Sequence, residues 1–239
     1  MASRESGLSG PGGVKYMGSL LGAPMARQKK PTPASGADVP TQIKNEKLVR
    51  KRRRQIIDAT VRLAIEHGYH NTTTRMIAKA AGFSIGSLYE YISSKEDLLY
   101  LVCSAIHEEV QNAVEEALSG DVCEKAQLAA AIRQYFIVCD NMADHVLLMY
   151  QVTQFLPDKW KKRVLDTELD VSNTFVRALS QLSGQNDFPR LDDKTCSLVG
   201  HNISVLGHMW AFRRWYLKKK FTIDEYITTQ TDFILGLIY

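Results

Sequence analysis

Between Ala80 and Leu99 the sequence reads AAGFSIGSLYEYISSKEDLL, gathering Ser84, Ser87, Tyr89, Tyr91 and Lys95 around Gly82 and Gly86. Hydroxyls, phenols and an amine at this spacing can hydrogen-bond base edges and phosphate oxygens. Gly86 removes a side chain in mid-helix, where another backbone can then come close. Ser84, Ile85 and Ser87 are the expected base-edge readers, with Tyr89 and Tyr91 on flanking phosphates and Lys95 adding charge. Catalysis is not expected: the sequence reads as lacking a G-x-S-x-G, H-E-x-x-H, P-loop or dinucleotide fingerprint, and Asp192-Asp193 reads as a helix start.

The charge distribution points the same way. The chain has 239 residues and a net charge of +4, yet residues 26–54 alone carry +8, leaving −5 for residues 55–239. A basic segment so segregated is the footprint of a polyanion partner, because each cation near a phosphate releases condensed counterions. Arg53 and Arg54 close the run VRKRRR and are expected to meet DNA.

The elements that must position these residues are helical. Ile56, Ala59, Thr60, Leu63 and Ala64 form the stripe of an amphipathic helix that Gly68 ends. Thr73 or Thr74 caps a short helix stopped at Gly82, and Ser84 caps the next, expected over Ser84 to Tyr91. Ser93 or Ser94 opens a long helix with Glu96 and Asp97 in its first turn, where the helix dipole favours acids. Two short helices after a longer one with a basic start make a helix-turn-helix.

The segment TTTRMIAKAAGFSIGSLYEYISSKEDLL resembles the N-terminal domain of the TetR family of bacterial transcription regulators over about fifty residues from Arg53. The family pattern is roughly T-x-x-x-I-A-x-x-A-G-V-S-x-G-[TS]-L-Y-x-[HY]-F-x-[SN]-K-E-x-L-[LI]; Ile92 stands where Phe is usual. The resemblance implies Thr74, Ser84, Ser87, Tyr89, Tyr91 and Lys95 as DNA-facing positions. It also implies a two-fold dimer whose last two long helices pair as a four-helix bundle, with an inner ligand cavity and a pseudo-palindromic double-stranded operator.

The rest of the chain reads as further helices, near 123–140, 143–155, 158–182, 192–219 and 222–238. The helix before the last has two apolar faces, one through Val199, Ile203, Leu206 and Trp210 and one through Val205, Met209 and Phe212, so it must be covered on several sides. In the last helix Ile223, Tyr226, Ile227, Ile234, Leu237 and Ile238 form a stripe. Leu206 and Ile234 are the expected interface residues.

Candidate ligand-lining residues are Tyr135, Met149, Tyr150, Phe155, Phe175 and Met209, with Phe136, Trp160 and Trp210 as further aromatics. Gln154, Asn173, Asn202, His208 and Arg213 could orient a polar end. Such a set favours an apolar effector. MWAFRRWYLKKKFTIDEYI is similar to a segment of family members that respond to fatty acyl-CoA, where Arg213, Arg214 and Lys218 to Lys220 could meet a phosphate. No metal or other cofactor is expected: His201 and His208 share a helix face without a converging carboxylate or Cys.

The resulting expectation is an all-α protein: a disordered tail over 1–43, a helix-turn-helix DNA-binding domain over 44–93, and a helical ligand-binding and dimerisation domain over 94–239. Its function would be a ligand-responsive repressor acting as a homodimer, released by an apolar small molecule, with a corepressor or a DNA-binding dimer without a ligand as the alternatives. No apolar run approaches the roughly 18 residues of a membrane span and no signal-peptide h-region occurs, so the location expected is cytoplasmic. Met25 is a plausible translation start. Cys103, Cys123, Cys139 and Cys196 stand far apart and read as buried free thiols.

Overall fold

The computed structural model describes residues 39–119, 124–185 and 191–236, which belong to one compact unit. The expectations for residues 1–38, for the Met25 start, for Cys123 and for Leu237 and Ile238 fall outside them. Helices α1 (Glu46–His67), α2 (Thr74–Ala81), α3 (Ile85–Tyr89) and α4 (Lys95–Ala117) are followed by α5 (Lys125–Asn141) and α6 (Ala143–Val152). A 3-10 turn, Thr153–Phe155, leads to α7 (Asp158–Leu182), α8 (Asp193–Phe212), the short α9 (Arg214–Leu217) and α10 (Ile223–Gly236). Among the described residues there is no strand, and no helix is long and apolar enough to cross a membrane.

Local chemistry sets the helix starts. Asn45 accepts from the Leu48 amide, Thr73 from Met76 and Ser84 from Ser87, each satisfying an amide that the first turn leaves unpaired. At α4 Ser94 and Asp97 form a reciprocal capping box. Gly82, at φ 77°, ends α2 in the left-handed region that other residues enter at a cost.

Ile56, Ile77, Leu88 and Ile92, none more than 1% exposed, make the core of the first three helices, and Leu98 and Leu99 of α4 are buried beside them. Ile92 thus fills the position where the family pattern has Phe. α1 also packs on α6, so the helix-turn-helix is continuous with the helices behind it. Residues 39–43, expected within a disordered tail, are instead docked: Val39 is 1% exposed and the Thr41 hydroxyl donates to the Glu90 carbonyl at 2.8 Å.

Behind this unit α7 lies along α8 and α4 along α5. The α7–α8 approach is close enough that a Cβ at Gly200 would stand 2.5 Å from Val176 Cγ2 and 3.0 Å from its amide nitrogen. The two apolar faces of α8 have different fates, with Leu206 and Met209 partly buried between them. Val199, Ile203 and Trp210 are buried, while Leu198 and Val205 are 63% and 60% exposed. In α10, Tyr226, Ile227 and Ile234 point inward and Phe233 is 59% exposed. Ile234 is therefore core rather than interface and Leu206 is partly buried; the outward apolar positions are Leu198, Val205 and Phe233.

Candidate functional site

α3 is only five residues long, too short to be stable by itself. It is held from within by Leu88, which is fully buried, and at its start by Ser84, whose Oγ accepts from the Ser87 amide at 3.0 Å and donates to Ser87 Oγ at 3.0 Å. Its outer face is free of the fold: Ser84, Ile85, Gly86 and Tyr89 are exposed. A Cβ at Gly86 would meet only Ser84 Oγ at 3.8 Å, so nothing inside the protein requires glycine there. The Tyr89 hydroxyl lies 3.5 Å from Thr74 Oγ1, which brings the two positions onto one face.

Three expected DNA-facing residues are committed elsewhere. Tyr91 is 5% exposed and packs edge-on against Phe83. Arg53 is 6% exposed and spends its guanidinium on backbone carbonyls, donating to Tyr91 O and Val39 O. Arg54 is exposed but pairs with Asp58 at 3.4 Å and with Glu109 of α4 at 3.1 Å. For Arg53 the cause is helical phase, which a run of three arginines hides: successive residues on α1 point about 100° apart, and the middle one falls on the inward side. Lys95 is half-buried, donates to the Tyr69 carbonyl at 3.2 Å and lies over the Tyr69 ring. Arg75 and Lys79 on α2 are exposed cations inside the resembling segment.

Gly82–Gly86 also spells G-x-S-x-G, the pattern of a hydrolase nucleophile elbow, so the absence of catalytic motifs expected from the sequence needs this correction. That elbow requires a strand entering the turn and a histidine base. Here α2 enters it, and the Ser84 hydroxyl is engaged with Ser87.

The expected ligand residues divide. Tyr135, Met149, Phe175 and His208 are buried, Met209 is half-buried, and Tyr150, Gln154, Phe155, Asn202 and Arg213 are exposed. Phe155 packs on Tyr69 and His70, and Arg213 lies over Trp215, so neither joins the buried set. Trp160 and Trp210 are structural: their indole N–H groups donate to Asp97 at 3.1 Å and to Asp140 at 2.7 Å.

The buried set centres on a group absent from the sequence expectation, Glu168. Its Oε2 lies 3.0 Å from His107 Nε2, and its Oε1 lies 3.5 Å from His208 Nδ1 and 3.4 Å from Ser204 Oγ. Tyr150 and Tyr135 reach the two nitrogens of His208 at 2.9 Å and 3.1 Å. The Tyr135 hydroxyl also donates to the Ser204 carbonyl at 2.9 Å, and the tautomer of His208 sets which of its ring nitrogens donates to a tyrosine. Burial alone would raise the Glu168 carboxyl, but the His107 bond, the fields of His208 and His107 and the Ser204 hydroxyl outweigh it and hold it below the usual value. Burial lowers His208 against the opposing field of Glu168, and burial with the Glu168 field pushes Tyr150 up to about 12.

One signal of this cluster was present in the sequence. Glu168 interrupts the inward stripe Val164, Val171, Ser172, Phe175 of α7, and an acid on a buried face needs partners. Their identity, from α4, α5, α6 and α8, is not periodic. Among the described residues no group of three His, Cys, Asp or Glu could hold a metal ion. Clefts of about 610 Å³ and 460 Å³ open instead beside α1, the first against residues 39–43 and α4, the second against α6 and Arg214.

Described residues that are helical without a strand, with a capped, outward-facing α3 and a larger helical body behind it, have the architecture of a helix-turn-helix regulator. Residues 56–101 match the family described as bacterial regulatory proteins, tetR family. The chain is 34% identical over 149 residues to the HTH-type transcriptional regulator PksA of Bacillus subtilis strain 168, covering 62% of this chain and 70% of that protein. It is 26% identical over 194 residues to the HTH-type transcriptional regulator HbdR of Aromatoleum sp. strain CIB, covering 81% and 83%. A crystal structure of a tetR-family regulatory protein from Rhodococcus RHA1 superposes with a TM-score of 0.69 at 21% identity, over 79% of this chain and 97% of that one. The chain belongs to the TetR family of transcription regulators, which are DNA-binding proteins and not enzymes.

Proposed function

We propose that this protein is a cytoplasmic, ligand-responsive transcriptional repressor that binds a pseudo-palindromic operator as a homodimer through α3. The observation that carries the reading is the exposure of Ser84, Ile85, Gly86 and Tyr89 on a helix whose other side is fixed by Leu88. Ser84, Ile85 and Ser87 face base edges, Gly86 allows close approach, and Thr74, Tyr89 and Lys95 flank them on the phosphates. Residues 44–93 are the DNA-binding domain and 94–239 the effector and dimerisation domain. Leu198, Val205 and Phe233 supply the dimer face, placing two α3 helices in major grooves about 34 Å apart.

The effector is an apolar small molecule whose polar end meets Tyr150 and His208. An acyl-CoA fits this class, with Lys219 and Lys220 exposed for its phosphates, whereas Arg214 and Lys218 pair with Asp144 at 2.6 Å and Asp140 at 2.8 Å. Coupling runs through α7, which holds α4 at two points, Trp160 to Asp97 and Glu168 to His107. Asp97 also caps the start of α4, beside the recognition unit. A ligand that draws His208 or Glu168 away from its partners releases the second point, with a coupling of about 1 to 3 kcal/mol.

Footprinting upstream of the protein's own gene, combined with thermal shift against a panel of acyl-CoAs, tests the reading. Protection of a two-fold site and a saturable rise in melting temperature that lowers operator affinity are expected. A ligand that instead raises affinity would make the protein a corepressor-dependent regulator. No thermal response to any apolar ligand would leave a DNA-binding dimer alone.

A further inference from the structure

Arg53 and residues 39–43 form a device that the sequence had assigned to DNA contact and to a tail. α3 ends at Tyr89, and the carbonyls of Glu90 and Tyr91 lie just beyond it, in the turn that leads to α4. Both are supplied from far upstream. The Thr41 hydroxyl and the Gln42 amide donate to Glu90 O at 2.8 Å and 3.3 Å. Arg53 Nε and Nη2 donate to Tyr91 O at 3.2 Å and 3.0 Å, and the same Nη2 donates to Val39 O at 2.7 Å. One guanidinium therefore joins the incoming chain to the end of α3, a geometry that the planar fork of arginine permits and a lysine ammonium does not. Val39 is buried beside it.

We infer that residues 39–43 are a strap which Arg53 clamps across the C-terminal end of α3, making Arg53 a positioning residue for operator recognition that touches no phosphate. The inference rests on α3 being the recognition helix. The Glu90 and Tyr91 amides close the end of α3 on the Ser87 and Leu88 carbonyls; the strap holds those same two residues by their carbonyls, and so fixes the direction in which Ile85 and Tyr89 project. Sequence-specific binding, which needs base edges met in register, depends on the clamp. Binding to any duplex through phosphates depends on it much less.

The test uses the full chain and two probes: a duplex recovered by the wild type from a random-sequence pool, and a scrambled duplex of equal length. Arg53→Met and Val39→Asp are each expected to weaken the selected duplex by about tenfold or more, which is a shift of one decade in Kd. Their combination loses little beyond the larger single effect, because both release one strap. The slope of log K against log salt stays at the wild-type value, and affinity for the scrambled duplex changes less than about threefold, since no phosphate contact is removed. Arg53→Lys behaves like Arg53→Met.

A slope smaller by about one, or rescue by Arg53→Lys, would make Arg53 a phosphate contact and overturn the inference. Losses that multiply in the double variant, or affinity left intact, overturn it equally. Should Arg53→Met fail to fold by circular dichroism, Thr41→Val at an exposed strap position decides by the same slope criterion, with a loss of about threefold expected from one hydrogen bond. A wild type that selects no duplex would defeat the DNA-reading assignment of α3 itself, an outcome separate from failure of the clamp.

Discussion

α3 and the Glu168 cluster use polar side chains in opposite directions. On α3 they point to solvent and are organised locally: Ser84 caps Ser87 three residues away, and Tyr89 approaches Thr74 fifteen residues away. Around Glu168 they point inward, and the partners arrive from 61 residues before it at His107 and from 36 and 40 residues after it at Ser204 and His208. Apart from the cap Ser84, the exposed polar face can be replaced at little cost to the fold, whereas a buried carboxylate stabilises only while all its partners stay in place. The first region turns its polar groups outward, and the second makes five helices answer to one another.

That contrast predicts effects of graded size. The largest tests whether α8 and α10 carry both α3 helices together. Val205→Glu with Phe233→Glu should yield a monomer in sedimentation, and loss of bivalent engagement should cost about 100-fold or more in operator affinity; a dimer that persists would show that the exposed apolar stripe is not the interface. Next, Glu168→Ala leaves two buried histidines without their carboxylate and should destabilise the protein by about 3 kcal/mol in urea denaturation. Faster hydrogen exchange in α4 and α7 should accompany it. A change of only a few tenths would mean the cluster is not a structural hub.

Tyr89→Ala should do the reverse, weakening operator binding by about tenfold while shifting stability by less than about 0.5 kcal/mol. A large stability loss there would erase the distinction between the two regions. The smallest effect is on pH dependence. His208 titrates below its ordinary 6.5 in the folded protein and Glu168 below its ordinary 4.5. In both cases the unfolded chain binds protons more readily, so stability is fully present above the unfolded value and falls as pH drops through the folded one. Melting temperature should hold from pH 8 to about 6.5, decline below it, and decline again below about 4.5. His208→Gln should shrink the first step, leaving the part contributed by His145, whose burial also lowers it, and should reduce the second as well, because the field of His208 helps to hold Glu168 down.

Much of the recognition unit is legible in the sequence because its determinants are short-range. Thr73, Ser84 and Ser94 are the caps observed, Gly68 and Gly82 end helices at positive φ, and Leu88 is the inward residue of α3. The span of α7 is read without error as Asp158–Leu182, because Pro157 fixes its start. Tyr91 and Arg53 mislead for one shared reason: a tyrosine or arginine has the same chemistry facing in or out, and one residue of helical phase separates the two. Glu168 escapes notice since its meaning depends on His107, His208 and Ser204, which sequence order scatters. Ile234 and Phe233 are neighbours with opposite fates on α10, and the stripe alone does not say which lies toward the core.

By itself the sequence determined where most helices begin and that a glycine-bearing, serine-capped helix follows a basic one, because caps, turns and amphipathic period act within a few residues; the ends of α3, α6 and α8 fall short of the expected 91, 155 and 219. Only the tertiary structure decided that Arg53 is buried and donates to the Val39 and Tyr91 carbonyls, and that one carboxylate ties α4 to the helices behind it. Burial makes that decision: a charged group removed from water must be satisfied by whatever the packed fold brings near it, and those neighbours are set by the whole chain.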